Sequence, residues 1–266
     1  MARYNLIQSP AVFLIEAFCS QLWGFKPNIV VPLVKQKGAV RSLFWFFRNV
    51  LKYESLRERW GPMRTNLLAT SISVSNACAY NTFGHGLAMQ LAYLKQSGRL
   101  FPLTDSELLD LCGHSEEDIV DTLKQALTEA DLSSEVLLVQ RMSELRRRPE
   151  LATTRQDRDL VQLFRLFDTL NFCGIKHGVR SDQAHDPINK DRALRDRYFA
   201  LRASELEAKE LRNSELKANE LGSRRQSQPA FVSPASVSSA RVAPPDVTVL
   251  NPADIGASAA VTELDW

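Results

Sequence analysis

Apolar residues recur at three- and four-residue spacing through most of the first two hundred residues, and this period constrains the fold more than any other feature. The segment 39–53 shows it with Val40, Leu43, Phe44, Phe47, Val50 and Leu51. Residues 155–172 carry a similar stripe. Such spacing places apolar side chains on one face of an α-helix. No alternating, strand-like pattern occurs in residues 1–200, so the sequence predicts an all-α fold.

Helix-start signals divide this stretch into separate helices. Pro62 suits a first helical turn, where its missing N–H costs nothing. Thr104, followed three residues later by a glutamate, has the pattern of a capping box. Ser115 precedes three acidic residues, which favour the first turn of a helix. The helix that starts at Pro62 either runs through residues 62–96 or breaks into two helices near Asn76.

The residues with the clearest chemistry lie close together in one segment. Cys78, Asn81 and His85 are spaced i, i+3 and i+7, so on a continuous helix they would share one face. A thiol near a helix N-terminus can have a lowered pKa and form a nucleophilic thiolate. A neighbouring histidine can serve as a base or a proton relay near neutral pH. The segment is therefore the candidate active site.

This segment resembles the Cys-x-x-Cys-x-x-x-His motif of the alkylhydroperoxidase-D and carboxymuconolactone decarboxylase superfamily. The flanking segments at residues 24–29, 59–64 and 113–119 are also similar to patterns of that family. The resemblance extends over roughly residues 20–185. It implies an alkylhydroperoxidase-D-like helical bundle that assembles into a homo-oligomer.

Two positions depart from the redox pattern of the family. In that chemistry one thiolate is oxidised by peroxide to a sulfenic acid, and a second thiol converts it to a disulfide that a partner dithiol reduces. Asn81 stands where the second cysteine is expected, and Asn66 stands where the family usually has a glutamate, twelve residues before Cys78. Cys78 and His85 remain as catalytic candidates. The resolving thiol would be Cys19, Cys112, Cys173 or an external thiol reductant.

The resemblance implies an antioxidant, hydroperoxidase-like function with weakened or altered redox chemistry, in which Cys78 is the nucleophile and His85 relays protons. Within the enzyme class, His85 could instead be the base for decarboxylation or proton transfer on a small acid. The alternative is a non-catalytic binding or assembly module on the same fold. The residues expected to line the site are Asn66, Asn81, Tyr80 and Ser75.

Composition excludes several other classes of protein. The net charge of +2 gives no electrostatic case for nucleic acid or an anionic membrane. No apolar run approaches the roughly 20 residues that a membrane helix needs, and no signal peptide is recognised. Four widely spaced cysteines fit a reduced, cytoplasmic protein. No glycine-rich phosphate loop or converging set of metal ligands is found, so neither a cofactor nor a metal is predicted.

The chain changes character after residue 200. Residues 1–200 are expected to form the helical domain. In residues 201–221 leucine recurs every five residues, which separates successive leucines by about 140° on a helix. They form no stripe, so a solvated helical repeat is expected, with a pentapeptide-repeat β-helix as the alternative. Residues 222–266 are rich in serine, proline and alanine and are predicted to be a disordered tail.

Overall fold

The computed structural model describes residues 9–226 of the chain, with side chains up to residue 214. These residues form ten α-helices, two short 3₁₀ turns and no strand, which confirms the all-α prediction. The α-helices are α1 (Pro10–Trp23), α2 (Val30–Lys37), α3 (Ala39–Trp60), α4 (Pro62–Ser75), α5 (Ala79–Ser97), α6 (Asp105–Asp110), α7 (Glu116–Glu129), α8 (Ser133–Arg147), α9 (Arg155–Lys176) and α10 (Arg192–Gln226). The 3₁₀ turns are Pro149–Leu151 and Pro187–Lys190.

The predicted helix starts are found where the sequence places them. Pro62 occupies the first turn of α4. Thr104 and Glu107 form the capping box of α6, and the Ser115 side chain accepts a hydrogen bond from the backbone N–H of Asp118 at the start of α7. These bonds satisfy backbone donors that a helix N-terminus leaves without partners.

Helices α4 and α5 form an antiparallel hairpin at the centre of the fold. Nearly every residue of α4 after its first turn is buried, and the same holds for most of α5. A helix that is covered on all sides must be surrounded by other elements. Leu68 and Ile72 of α4 pack with residues of α3, α8 and α9, whereas Leu67 and Met89 pack with residues of α6 and α7. Each fully buried leucine or methionine contributes roughly 1.5–3 kcal/mol to folding.

The long helix considered for residues 62–96 is two helices, and the break lies where the alternative prediction placed it. Helix α4 ends at Ser75 and α5 begins at Ala79. Ala77 has a φ of 55°, a left-handed conformation that costs a residue other than glycine roughly 1–2 kcal/mol. The prediction of one continuous helical face through the motif is therefore wrong at Cys78, which precedes the first residue of α5.

Helix α10 crosses the predicted limit at residue 200 without a break. Its first part is held by Arg202, whose Nη2 donates to the carbonyl oxygens of Phe101 and Leu103 at 2.7 and 2.8 Å. Leu206 and Leu211 of the five-residue repeat are both about 60 % exposed, as expected for leucines that form no stripe. The alternative of a pentapeptide-repeat β-helix is wrong, because the repeat is α-helical.

The contact pattern divides the chain into two units, Met1–Asn213 and Ser214–Trp266. The first unit holds α1 to α9 and the first part of α10. In the second unit the backbone is helical to Gln226, so residues 222–226, expected in the tail, belong to a helix. The rest of the predicted tail, residues 227–266, lies outside the described residues. Within residues 9–226 no helix has both the length and the apolarity needed to cross a membrane.

Candidate functional site

The turn between α4 and α5 places the motif residues. The backbone N–H of Cys78 donates to the Ser73 carbonyl oxygen at 2.9 Å, and Cys78 is the N-cap residue of α5. Arg146 of α8 donates to the Ser75 carbonyl oxygen and to Asn76 Oδ1 at 3.2 and 2.6 Å. A cation at the end of α4 satisfies carbonyl groups there and complements the helix dipole, so the turn is fixed from both sides.

Asn66 and His85 face each other across the α4–α5 hairpin. The Nδ2 group of Asn66 donates to the Pro62 carbonyl oxygen at 2.9 Å and to Asp186 Oδ2 at 3.0 Å. Both partners are acceptors, so both amide hydrogens are used and the orientation of the amide is determined. Asn66 Oδ1 then lies 2.8 Å from His85 Nδ1 and accepts a hydrogen bond from the Tyr53 hydroxyl at 3.0 Å.

The protonation of His85 follows from that orientation. Asn66 Oδ1 carries no hydrogen, so a contact of 2.8 Å requires the hydrogen to be on Nδ1 of the imidazole. In the neutral ring Nε2 is then unprotonated. Nε2 makes no hydrogen bond to any side chain or backbone group that the structure describes. The site therefore holds a histidine whose second nitrogen is available as a base or hydrogen-bond acceptor.

Burial keeps the groups of this site neutral. It lowers the pKa of His85 well below its usual value, and the nearby His185 lowers that pKa further. Burial also raises the pKa of Tyr53, with the negative charges of Asp186 and Glu54 adding to the effect. At neutral pH the site consequently contains an uncharged imidazole and a protonated phenol.

Asp186 is the buried charge nearest to this pair. Its side chain is about 1 % exposed. Oδ1 accepts a hydrogen bond from the backbone N–H of Ile188 at 2.9 Å, and Oδ2 lies 3.8 Å from Arg57 Nε. Arg57 in turn donates to Glu54 at 2.7 Å. The carboxylate is thus satisfied without direct contact with His85, and it acts on the imidazole through Asn66.

His185 was assigned by the sequence analysis to no site, yet it lies in the wall beside His85. Its ring centroid is 5.2 Å from that of His85, 5.7 Å from Phe25 and 4.6 Å from Tyr80. Its Nε2 lies 2.9 Å from Ser181 Oγ. A Cβ atom added at Gly84 would lie 2.3 Å from the imidazole, so the glycine permits this close approach. Burial lowers the pKa of His185 to about 3.

A cavity of about 60 Å³ lies against this cluster and is lined by residues of α1, α2, α3, α5 and α9. Most of its wall is aromatic or aliphatic, and no aspartate, glutamate, lysine or arginine belongs to the described lining. The lining residues are Cys19, Trp23, Pro27, Ile29, Val30, Leu33, Trp45, Phe46, Asn49, Val50, Tyr53, Tyr80, Asn81, His85, Leu166, Phe167, Leu170 and His185. The polar atoms of the wall are therefore few, and His85 is among them.

Cys78 occupies a different environment from His85. Its side chain is about 1 % exposed and packs in an apolar cluster with Cys173, Ile29 and Leu33. Burial raises the pKa of the Cys78 thiol, although backbone hydrogen bonds from Asn81 and Tyr80 act in the opposite direction. Cys78 is not among the residues that line the cavity.

The other predicted site residues lie in three places. Asn81 and Tyr80 line the cavity, and Asn81 donates to Asn171 Oδ1 at 2.8 Å. Ser75 lies elsewhere, in a small cleft with Ile72 and Glu116 between α4, α7 and α8. Asn66 stands behind His85 rather than in the cavity wall.

Three further members of the site, which no sequence pattern predicted, are Tyr53, Asp186 and His185. They come from α3 and from the segment before α10, far from the motif in the sequence. The one local signal was the pair of glycines that flank His85, since a glycine has no Cβ and lets another group approach the helix closely. No group of three or more histidine, cysteine or acidic side chains that could hold a metal ion occurs in the described part of the chain.

Comparisons of the chain with protein-family models, with curated proteins and with solved structures found no match.

Proposed function

We propose that the chain is an enzyme in which His85 acts as a general base toward a small, uncharged and largely apolar substrate held in the cavity. The observation that carries this proposal is the tautomer of His85. Asn66 accepts the Nδ1 hydrogen at 2.8 Å, and the lone pair of Nε2 is left for a ligand in the cavity that His85 lines. A positioned base of this kind needs only to reach the proton that it removes.

The same network supports the protonated state of the base. When Nε2 takes a proton, the imidazolium donates from Nδ1 to Asn66 Oδ1, and the Asp186 carboxylate lies behind the amide. A negative charge near a developing positive charge stabilises it. Because burial lowers the pKa of His85, the base is weak, and the proton of the substrate must be correspondingly acidic.

The chemical character of the cavity favours an uncharged substrate over the small acid considered from the sequence. A carboxylate in this cavity would meet no lysine or arginine among the described lining residues. Burying an unpaired charge is strongly unfavourable. An apolar molecule with one polarised hydrogen would instead be desolvated at little cost and could donate to Nε2.

The proposal is tested with two probes of nearly equal shape and different charge. Pivalamide and pivalate should be titrated into the protein while the imidazole signals of His85 are followed by NMR. Pivalamide is expected to shift the His85 signals and pivalate to leave them unchanged. Exchange of the central hydrogens of 2,4-pentanedione for deuterium then measures base catalysis, which we expect to fall by about 10²-fold or more in His85→Gln. Binding of pivalate, or equal exchange by His85→Gln, would reject the proposal.

A second candidate function is a thiol hydroperoxidase at Cys78. The N-cap position of Cys78 on α5 favours it, because the backbone N–H groups of Tyr80 and Asn81 stabilise the thiolate. The thiolate would attack the peroxide, break the O–O bond and release the alcohol, leaving a sulfenic acid. A second thiol, from Cys173 or an external reductant, would then form a disulfide and release water. Burial of Cys78 opposes this function.

Consumption of tert-butyl hydroperoxide in the presence of dithiothreitol separates these two functions. Turnover that is lost in Cys78→Ser would support the thiol hydroperoxidase, and a reduced turnover in His85→Gln would in addition support the proton relay at His85. No peroxide turnover, together with no deuterium exchange, would support the remaining alternative, a non-catalytic binding or assembly module.

The resemblance to the alkylhydroperoxidase-D and carboxymuconolactone decarboxylase superfamily remains part of this proposal. Asn66 and His85 occupy the positions of the glutamate and histidine of the family motif, and their hydrogen bond is consistent with a shared bundle. The resemblance also carries the proposals of a homo-oligomer, a cytoplasmic location and an external thiol reductant. Sedimentation velocity of the full chain tests the first of these.

A further inference from the structure

We propose that the outer faces of α1 and α3 form a docking surface for an anionic lipid bilayer. This lipid-docking face combines exposed apolar side chains with cations that have no acidic partner. Its members are Phe13, Leu14, Val40, Arg41, Phe44, Arg48, Leu51 and Lys52. The inference concerns a surface apart from the cavity and does not depend on the function proposed for His85.

The apolar part of the face is a stripe along α3. Phe44 is 77 % exposed, Val40 66 % and Leu51 64 %. Their spacings of four and seven residues place them on one side of the helix. This side is turned by about 120° from the one that carries Phe46 and Val50 into the cavity wall. Large apolar side chains exposed in a contiguous patch commonly mark an interaction surface.

Helix α1 extends the stripe. The ring of Phe18 packs against Phe47 of α3, with ring centroids 5.2 Å apart. Leu14, which is 50 % exposed, lies one turn before Phe18 on the same side of α1. Phe18 and Phe47 therefore join the exposed residues of the two helices into one apolar surface.

The charge between residues 17 and 53 has a single sign, and the acidic residues of α3, Glu54 and Glu58, follow Leu51 at the C-terminal end of the stripe. Residues 17–53 contain six basic residues and no acidic residue. Lys26 pairs with Glu16 at 3.7 Å, and Lys37 lies over the Trp45 ring at 5.4 Å. The other four have no ion-pair partner among the described residues, and they are Lys35, Arg41, Arg48 and Lys52. The overall charge of +2 hides this asymmetry, since residues 105–121 hold seven acidic residues and no lysine or arginine.

This combination fits a lipid surface better than a second copy of the chain. A symmetric dimer through this face would bring the same unpaired cations together, and like charges across an interface are costly. An anionic bilayer attracts each cation and also accepts aromatic and leucine side chains at its interface. Docking on a surface needs no spanning helix and is compatible with the absence of one in residues 9–226.

Sedimentation of the full chain with lipid vesicles tests the inference. We expect binding to vesicles of phosphatidylcholine mixed with phosphatidylserine, and much weaker binding to phosphatidylcholine alone. The double variant Arg41→Gln/Arg48→Gln should bind the anionic vesicles roughly 30-fold more weakly, since each surface cation contributes about a factor of five. Phe44→Ser/Leu51→Ser should also lose binding, and added salt should reduce it.

Matched changes elsewhere on the surface are the controls. Leu137 of α8 is 71 % exposed, so Leu137→Ser removes an equally exposed side chain outside the face. Arg147→Gln/Arg148→Gln removes two exposed cations at the end of α8. Both controls should bind anionic vesicles like the unaltered chain. The inference is overturned if no vesicle is bound, if the face variants bind as well as the controls, or if the face variants only dissociate an oligomer in sedimentation velocity.

Discussion

Oδ1 of Asn66 accepts the Nδ1 hydrogen of His85 across 2.8 Å. An amide at this position cannot titrate, so the bond has the same polarity at every pH at which the protein is folded. The fixed amide leaves the opposite ring nitrogen, Nε2, unprotonated in the neutral imidazole. The hydrogen bond of His85 also depends on Asp186, because Asp186 Oδ2 accepts a hydrogen bond from Asn66 Nδ2 at 3.0 Å and so fixes the orientation of the amide.

Replacing Asp186 with asparagine should disturb this arrangement. The carboxylate accepts from Asn66 Nδ2 and from the backbone N–H of Ile188, whereas an asparagine offers one oxygen and one NH₂ group. One donor is then left without an acceptor in a buried place, which should lower the free energy of unfolding by about 1–3 kcal/mol. Urea denaturation measures this change. Asp182→Asn, at an exposed position, is the control, and an equally small effect of both substitutions would contradict the assigned role of Asp186.

The two glycines beside His85 should respond differently to the same substitution. In Gly84→Ala the new Cβ would lie 2.3 Å from the His185 ring, and the ring would have to move. Overpacking of this kind costs about 1–3 kcal/mol. In Gly86→Ala the nearest atom is a methyl carbon of Leu108 at 3.2 Å, and the gain in helix propensity of about 1 kcal/mol offsets the contact. Thermal unfolding of both variants tests the difference, and equal melting temperatures would refute it.

Stability should fall as the pH falls below about 6.5, the ordinary histidine pKa. In the unfolded chain His85 and His185 bind protons in that range, whereas in the folded protein burial lowers the pKa of His185 to about 3 and that of His85 well below its usual value. The unfolded state then binds more protons. Each histidine removes up to about 1.4 kcal/mol of stability per pH unit.

Urea denaturation at pH 7.5, 6.5 and 5.5 measures this slope above the range in which most carboxylates titrate. His114 and His177 are exposed, so the double variant His114→Gln/His177→Gln should retain the slope. A free energy of unfolding that stays constant between pH 7.5 and 5.5 would show that the two buried histidines bind protons equally in the folded and the unfolded state, and would contradict the lowered pKa of both.

The thiol of Cys78 should react slowly in the native protein. It is buried and its pKa is raised, and thiolate is the reactive form. Cys112 is partly exposed, so it should be alkylated first by iodoacetamide at pH 7.5, with Cys78 protected until the protein is unfolded in urea. Mass spectrometry of the labelled peptides gives the order. Labelling of Cys78 before Cys112 would favour the thiol hydroperoxidase over the His85-centred enzyme.

Helix content and helix boundaries were accessible from local patterns. The spacing of apolar residues in 39–53, the proline at position 62 and the capping box at Thr104 depend on neighbours within a few residues, and the structure contains the helices they predict. The break between two helices near Asn76 was only one of two predictions for residues 62–96. A left-handed Ala77 is stabilised by the packing of α4 against α5 and by Arg146, and neither is visible in a local pattern.

The amino-acid sequence by itself determined an all-α protein, because helical period and capping are properties of short segments. It also singled out His85, through its spacing from Cys78 and the resemblance of that segment to a known motif. Only the tertiary structure decided what His85 can do. Its hydrogen-bond partners come from α3 and α4, and the acid behind them lies one hundred residues further along the chain. Protonation and access depend on burial and on atoms brought together across such separations, and these are settled when the helices pack.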